Sequence, residues 1–214
     1  MTTAATEGAR APLSTRGRLT RDRLVSAARV VFEERGFDAT RMSDVAAAAG
    51  VSHGTVYTWF ATKEDLLHGA VDSVTEQMYE VLSTPEVKDP VQRIAVANER
   101  YLEVHRKTAR LMEVVAQAAV NDESFRAVLT GLRRTHVNRV AKTIRKLQND
   151  GLAVKTLDAQ ISAAALCAMV EGFARYWLSS DGEGMGQVAT DSTALATLTQ
   201  IWARSLGLIQ PGGQ

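Results

Sequence analysis

The stretch Asp44-Val45-Ala46-Ala47-Ala48-Ala49-Gly50-Val51-Ser52-His53-Gly54-Thr55-Val56-Tyr57-Thr58-Trp59-Phe60 decides how this chain is read. Its alanine-rich first half favours a helix, since alanine loses no side-chain entropy on entering one. Gly50 stops that helix, being the residue that tolerates the left-handed conformation common just past a helix end. Ser52 then suits an N-cap, its hydroxyl accepting a hydrogen bond from a first-turn amide. Two short helices result, about Ser43 to Ala49 and Ser52 to near Phe60, and their sharp connection has the proportions of a helix-turn-helix. Val45, Ala46 and Ala49 face inward, where the alanines let the helices approach closely; Val51, Val56 and Phe60 supply apolar contacts. His53, Gly54, Thr55, Tyr57, Thr58 and Trp59 are left to the outer and N-terminal surface, the part of such a helix that reads bases in a major groove.

Outward from this centre the periodicity stays helical. Leu24, Ala27, Ala28, Val31 and Phe32 recur at three- and four-residue steps, in a helix starting near Thr20 and Asp22 and ending at Gly36. Residues 1–17 read as a mobile arm, with Arg10 and Arg16 in it and Arg18, Arg21 and Arg23 following. Thr62 suits the N-cap of a helix carrying Leu66, Leu67, Ala70, Val71, Val74 and Met78, ended by Pro85. Asp89-Pro90 opens a helix through Ile94, Ala97, Tyr101 and His105, and a shorter apolar stretch, Leu111 to Val120, follows. Asn121, with Asp122 and Glu123 behind it, caps a helix carrying Phe125, Val128, Leu132, Val140, Ile144 and Leu147, which Asn149-Asp150-Gly151 breaks. Asp158 to Leu178 is a helix with a very apolar middle, Asp181 to Gly186 a loop, and Leu195, Leu198, Trp202 and Leu206 mark the last helix. No segment shows the alternation of a strand. The expected fold is all-α, with about nine helices: a three-helix N-terminal domain containing the helix-turn-helix, and a larger C-terminal helical bundle.

Composition narrows the function classes. The 214 residues carry 25 Lys+Arg against 24 Asp+Glu, a net charge of +1 that excludes a uniformly basic coat yet permits a basic face. A single cysteine, Cys167, excludes an internal disulfide framework and a Cys-rich zinc module, and fits a reducing compartment. His53, His68, His105 and His136 lack metal-ligand spacing from one another and from Cys167, so no metal and no cofactor is expected. Residues 1–18 lack the apolar core of a secretion signal, and the longest apolar run, Ala163 to Val170, is too short to span a bilayer. The expectation is a soluble cytoplasmic protein.

Gly36-Phe37-Asp38-Ala39-Thr40, Val45-Ala46, Ala49-Gly50-Val51-Ser52, Gly54-Thr55-Val56-Tyr57, Phe60 and Lys63-Glu64-Asp65-Leu66 together resemble the DNA-binding domain of the TetR family of transcriptional regulators. The resemblance covers Arg18 to Met78 in detail, departs from the usual pattern at Trp59 and Ala61, and extends to the remainder only in architecture. It implies a mobile arm over 1–17, a DNA-binding domain over 18–78 with the helix-turn-helix at about 41–60, and a ligand-sensing and dimerisation domain over 79–214. His53 and Thr55 are short polar side chains able to reach base edges, and Gly54 lets the backbone come close to DNA. Tyr57 and Lys63 look like phosphate ligands, although tyrosine at this spacing also suits core padding. Trp59 is open between packing and DNA contact, while Thr58, Arg41 and Ser43 complete the DNA-facing set. Arg16 and Arg18 would reach a neighbouring minor groove.

Two literal motif matches compete and lose on context. Gly50-Val51-Ser52-His53-Gly54 fits the nucleophile elbow of serine hydrolases, but that serine sits on a strand-to-helix turn and here an alanine helix precedes it. Gly182-Glu183-Gly184-Met185-Gly186 lies between helices rather than after a strand, which removes a dinucleotide site. A third reading, a helix-turn-helix used only for protein contacts, is separated by a DNA-binding assay.

The resemblance also implies a homodimer and a small-molecule effector. The helix around Ala163, Ala164, Ala165, Leu166, Ala168 and Val170 is apolar on most of its circumference, and with the last helix it would form half of an isologous four-helix interface. Burial within one subunit is the alternative. Polar or polarisable residues on otherwise apolar helices are the pocket candidates: Asn98, Tyr101, His105, Met112, Glu171, Phe173 and Trp177. They suggest an apolar or amphipathic effector. The expected function is a regulator, a repressor by family habit, that binds a pseudo-palindromic operator as a dimer and is released by that effector.

Overall fold

The computed structural model describes residues 14–81, 87–178 and 191–208, with the backbone alone over 76–81. Arg10, the side chain of Met78, Pro85 and the expected loop at Asp181 to Gly186 lie outside the described residues. Every regular element among them is a helix: α1 (Thr15–Ala39), α2 (Met42–Ala49), α3 (His53–Trp59), α4 (Lys63–Val81), α5 (Pro90–Asn121), α6 (Glu123–Asn149), α7 (Ala159–Trp177) and α8 (Asp191–Ser205). The chain forms two compact units, divided between Ser73 and Val74 and so within α4.

In the first unit, α1 begins five residues before the expected start. Ser14 is its N-cap, accepting from the Gly17 amide at 3.1 Å, while the Thr20 hydroxyl donates to the Arg16 carbonyl at 3.0 Å from inside the helix. Thr15 to Gly17 therefore belong to α1 and not to an arm. Gly36, at φ 77°, sets off the last turn, and Thr40 Oγ1 donates to the Gly36 carbonyl at 2.7 Å. Leu24, Ala28 and Phe32 are wholly buried, with Val45, Val56, Leu66 and Leu67 from the three other helices. Removing each such aliphatic or aromatic side chain from water contributes about 1.5–3 kcal/mol. Around the turn, Gly50 takes the left-handed conformation at φ 62°, where a β-branched or bulky residue would be strained. Its amide donates to the Ala47 carbonyl at 3.1 Å, and that of Val51 to Ala46 at 3.0 Å. Thr62 and Asp65 then cap α4 reciprocally: the Thr62 amide donates to Asp65 Oδ2 at 3.1 Å, the Asp65 amide to Thr62 Oγ1 at 3.0 Å.

In the second unit, α5 is one continuous helix of 32 residues, about 48 Å long at 1.5 Å per residue. The two separate stretches expected over Pro90 to His105 and Leu111 to Val120 are thus joined, which is why eight helices rather than nine are seen among the described residues. The joining turn is polar because it faces solvent: Lys107 pairs with Glu103 at 2.6 Å and Arg110 with Glu113 at 3.0 Å, one helical turn away in each case. Asp89 caps α5 as expected, accepting from Gln92 at 2.7 Å. The cap of α6 is Asp122, whose Oδ1 accepts from Ser124 at 2.7 Å, and not Asn121, which is the last residue of α5. Ile144 and Leu147 of α6, Ala163, Leu166 and Val170 of α7, and Trp202 and Leu206 at the end of α8 form the core here.

Candidate nucleic-acid interface and effector cavity

The two faces of α3 have opposite fates. Val56 is wholly buried, and Phe60 just beyond the helix is nearly so, which turns His53, Gly54, Tyr57 and Thr58 to solvent. Ser52 accepts from the Thr55 amide at 3.3 Å and lies 2.8 Å from Thr55 Oγ1, fixing the start of the helix. The hydroxyl of the Gly-x-Ser-x-Gly match is therefore committed to a cap between two helices, the opposite of a strand-to-helix elbow. Thr58 Oγ1 donates to the Gly54 carbonyl at 3.0 Å, and nothing lies within 4 Å of a Cβ placed on Gly54. Tyr57 is 49% exposed and stands edge-on to the His53 ring at 5.0 Å, so it does not pad the core. Arg41 and Ser43 are also exposed, at the start of α2; the Arg41 amide donates to Asp44 Oδ2 at 3.0 Å, and Asp44 in turn pairs with Arg35 at 3.1 Å.

Two members of the expected DNA-facing set are engaged elsewhere. Trp59 is half-buried, its ring edge 3.2 Å from where a Cβ on Gly17 would sit, so the indole packs across the first turn of α1. Lys63 Nζ donates to the Phe37 carbonyl at 2.8 Å and the Asp38 carbonyl at 3.4 Å, and lies 4.3 Å from the centroid of the Phe37 ring. A cation there ties the last turn of α1 to the start of α4, adding a second donor to the Phe37 carbonyl, which also accepts from the Thr40 amide at 3.3 Å. Two supports were not foreseen from sequence. Arg23 Nη2 donates to the Gly50 carbonyl at 3.3 Å, and Arg21 stacks on Phe60 at 5.6 Å. The arginine-rich start of α1 thus braces the turn and the end of α3.

The second unit contains a cavity of about 310 Å³ between α5, α6, α7 and α8. Of the expected pocket residues, Asn98 and Tyr101 line it. His105, Met112, Glu171, Phe173 and Trp177 do not. Glu171 is held by Arg133 at 2.8 Å and Arg175 at 3.5 Å, Phe173 stacks on Trp177 at 5.0 Å, and Trp177 Nε1 donates to Asp191 at 2.9 Å. His105 sits one turn from Tyr101, ring to ring at 6.3 Å. In their place the wall contains Arg93, His136, Arg139, Thr143 and Cys167. A sequence signal for two of these existed: His136 and Thr143 fall in the same helical register as Val140, Ile144 and Leu147, polar positions within an apolar stripe.

Burial disfavours the charged forms of Tyr101, Cys167 and His136 in the wall. The Tyr101 hydroxyl is pushed far above its ordinary range, by burial first and then by the Glu171 carboxylate. The Cys167 thiol is pushed up to about 12 for the same two reasons. Burial also lowers His136, with the Arg139 charge acting in the same direction, and lowers His105, with Arg175 assisting. Tyr101 and His136 stack at 5.7 Å. Asn98 is only 3% exposed, and its Nδ2 has no hydrogen-bond partner.

Residues 24–70 match the family described as bacterial regulatory proteins, tetR family. The HTH-type transcriptional regulator TtgR of Pseudomonas putida is 27% identical over 173 residues, covering 74% of this chain and 80% of that one. The HTH-type transcriptional activator FasR of Mycolicibacterium smegmatis is 26% identical over 186 residues, covering 85% and 81%. The solved complex of SmeT with triclosan shares the fold at a TM-score of 0.71 and 22% identity, over 91% of this chain and 96% of that one. The helix-turn-helix domain, residues 24–70, thus belongs to the TetR family of bacterial transcriptional regulators, and the chain is similar to such regulators over most of its length.

Proposed function

We propose that the protein is a dimeric, ligand-responsive repressor whose α3 enters the major groove of a pseudo-palindromic operator. The observation that carries this reading is the outward N-terminal edge of α3, where His53, Gly54, Tyr57 and Thr58 are exposed while Val56 and Phe60 hold the helix down. His53 and Thr55 read base edges, Gly54 permits close backbone approach, and Tyr57 with Arg41, Ser43 and Thr58 meets phosphates. Ser52 is first a cap, and Trp59 and Lys63 brace the unit. Arg16 and Arg18, on the first turn of α1, serve a neighbouring minor groove.

The dimer face is the outer side of α7 and α8. Ile161 (72% exposed), Ala164, Ala165 and Ala168 recur at helical spacing on α7, where Tyr176 (70%) is also exposed, and Ala196 and Ile201 are exposed on α8. A second copy across a two-fold axis would cover both stripes. The 310 Å³ cavity receives the effector, which releases the operator by binding better to the conformation that does not fit DNA. No helix among the described residues is long and apolar enough to cross a membrane, and a DNA-bound role places the protein in the bacterial cytoplasm.

Operator selection from random DNA, followed by gel shifts, tests the reading. The selected site is expected to be a pseudo-palindrome with half-sites one turn, about 34–36 Å, or a multiple of it apart. Substituting His53→Ala should relax preference at one position by about 1–3 kcal/mol. A uniform loss across all sequence variants removes His53 from base reading, and no selected sequence at all returns the helix-turn-helix to a protein-contact role. A reporter downstream of the selected site should be silenced by the protein; its stimulation overturns repression.

A further inference from the structure

We infer that the effector is an uncharged, mainly apolar molecule whose polar group is a hydrogen-bond acceptor, such as a ketone, received by Tyr101 and Trp202. This rests on the cavity being the effector site. The charge of the ligand follows from what the wall can pair. No carboxylate lines the cavity, so an ammonium finds no counter-ion there. Arg93 already gives Nε and Nη2 to the Val87 carbonyl, at 2.8 and 2.5 Å, and Arg139 is exposed with an interaction of its own. An anion would therefore compete for cations that are engaged or held in water. The buried members of the wall, Asn98, Ile144, Cys167, Val170, Trp202 and Leu206, bear no charge. A charge carried to their depth loses its hydration without gaining a partner, which is strongly unfavourable.

The polar group of the ligand follows from which wall atoms are unpaired and open. Asn98 Nδ2 is unpaired but sealed, with almost no accessible surface. The Tyr101 hydroxyl and the Trp202 indole N–H also have no hydrogen-bond partner among the described residues, and neither is sealed in that way. Both side chains line the cavity, Trp202 only 9% exposed and Tyr101 half-buried. An indole N–H can only donate, and a phenol held protonated by burial has its proton to offer. Stacking on His136 at 5.7 Å keeps the Tyr101 ring in place. Donors without partners select for an acceptor on what binds. A ketone oxygen supplies one without bringing a charge, whereas a plain hydrocarbon leaves both donors unpaired.

Calorimetric titration of the full chain with two matched series tests this: acetylnaphthalene, ethylnaphthalene, naphthoate and naphthylmethylamine, then methyl octyl ketone, decanoate and decylamine. In at least one series the ketone should bind about tenfold or more tighter than both charged analogues. Acetylnaphthalene should bind about threefold or more tighter than ethylnaphthalene. Tyr101→Phe and Trp202→Phe should each weaken ketone binding while ethylnaphthalene, the control for an intact cavity, holds within about twofold. A carboxylate or amine that equals its ketone overturns the neutrality while leaving the cavity as effector site. Ethylnaphthalene binding as tightly as the ketone overturns the acceptor. Ketone binding that is indifferent to both substitutions, or lost with the hydrocarbon in both, overturns the two donors. If none of the seven compounds binds, the cavity itself loses its role, and this inference falls with it.

Discussion

The reading edge of α3 and the cavity of the second unit are assembled in opposite ways. Nearly every group on the α3 edge comes from residues 52–58, and its form depends on one left-handed glycine and one serine cap, both within three residues of the helix. The cavity draws its wall from four helices separated by up to more than a hundred positions in sequence, from Pro90 to Leu206. A short segment can be rebuilt around any sound core. A wall made from four helices exists only when all four are packed. On the proposed function, DNA recognition is therefore a local property standing on a small core, and effector recognition a global property of a larger one.

The strongest way to break this contrast is to damage the small core. Phe32 is wholly buried in the first unit, and Phe32→Ala should cost about 3–5 kcal/mol through lost burial and the cavity left behind. Operator binding in a gel shift should disappear, while calorimetric binding of a cavity ligand persists. Loss of both together would mean that the two units do not fold separately enough for the comparison to hold.

A smaller effect separates two readings of Lys63. Charge-assisted hydrogen bonds to the Phe37 and Asp38 carbonyls predict that Lys63→Ala lowers stability to urea by about 1.5–3 kcal/mol. If bracing is its whole role, operator affinity falls only as far as folding does, and the slope of log K against log salt stays unchanged. A slope shallower by about 0.9 would restore a phosphate contact to this residue.

Lys63 also shows where sequence reasoning reached its limit. Where caps and turns were legible, their causes lie within three or four residues: Gly50, Ser52, Thr62 and Asp89-Pro90 each act on their own backbone. The partners of Lys63 are 25 and 26 residues away, and the surface that Trp59 covers is Gly17, so neither contact leaves a mark in local periodicity. The same reason explains the pocket candidates. Asn98 and Tyr101 were recognisable as polar groups on an apolar face, but Glu171, Phe173 and Trp177 met that description equally well. Arg133 of α6 engages Glu171, Asp191 of α8 engages Trp177, and Phe173 stacks on Trp177 within α7. The continuity of α5 was hidden by its polar turn from Arg106 to Arg110, where exposure, not a break, sets the composition.

Acidification probes the second unit through its two buried histidines. His105 and His136 have folded pKa values below the ordinary 6.5, so near that value the unfolded chain binds more protons than the folded one. Their contribution to stability is complete above about pH 6.5 and is lost as the pH falls toward the lowered values. Urea unfolding of the second unit should therefore move to lower denaturant between pH 7 and pH 5, and His136→Gln should flatten part of that dependence. An unchanged profile in the variant would place the acid sensitivity elsewhere.

The smallest expected change is the most discriminating for the cavity. Asn98 is buried, with an amide nitrogen that no protein group accepts, so it carries a desolvation cost without a matching bond. Asn98→Leu keeps the volume close and removes that cost, at the loss of whatever its carbonyl side contributes. Thermal and urea unfolding should therefore move by no more than about 1 kcal/mol in either direction. That near-neutrality would be informative, because a buried asparagine that holds a fold together behaves otherwise: removing it strands its partners and costs several times more. A large loss would make Asn98 a structural member of the α5 packing. A small one would show that this helix packs without the amide, whereas the start of α3 depends on the polar group that caps it.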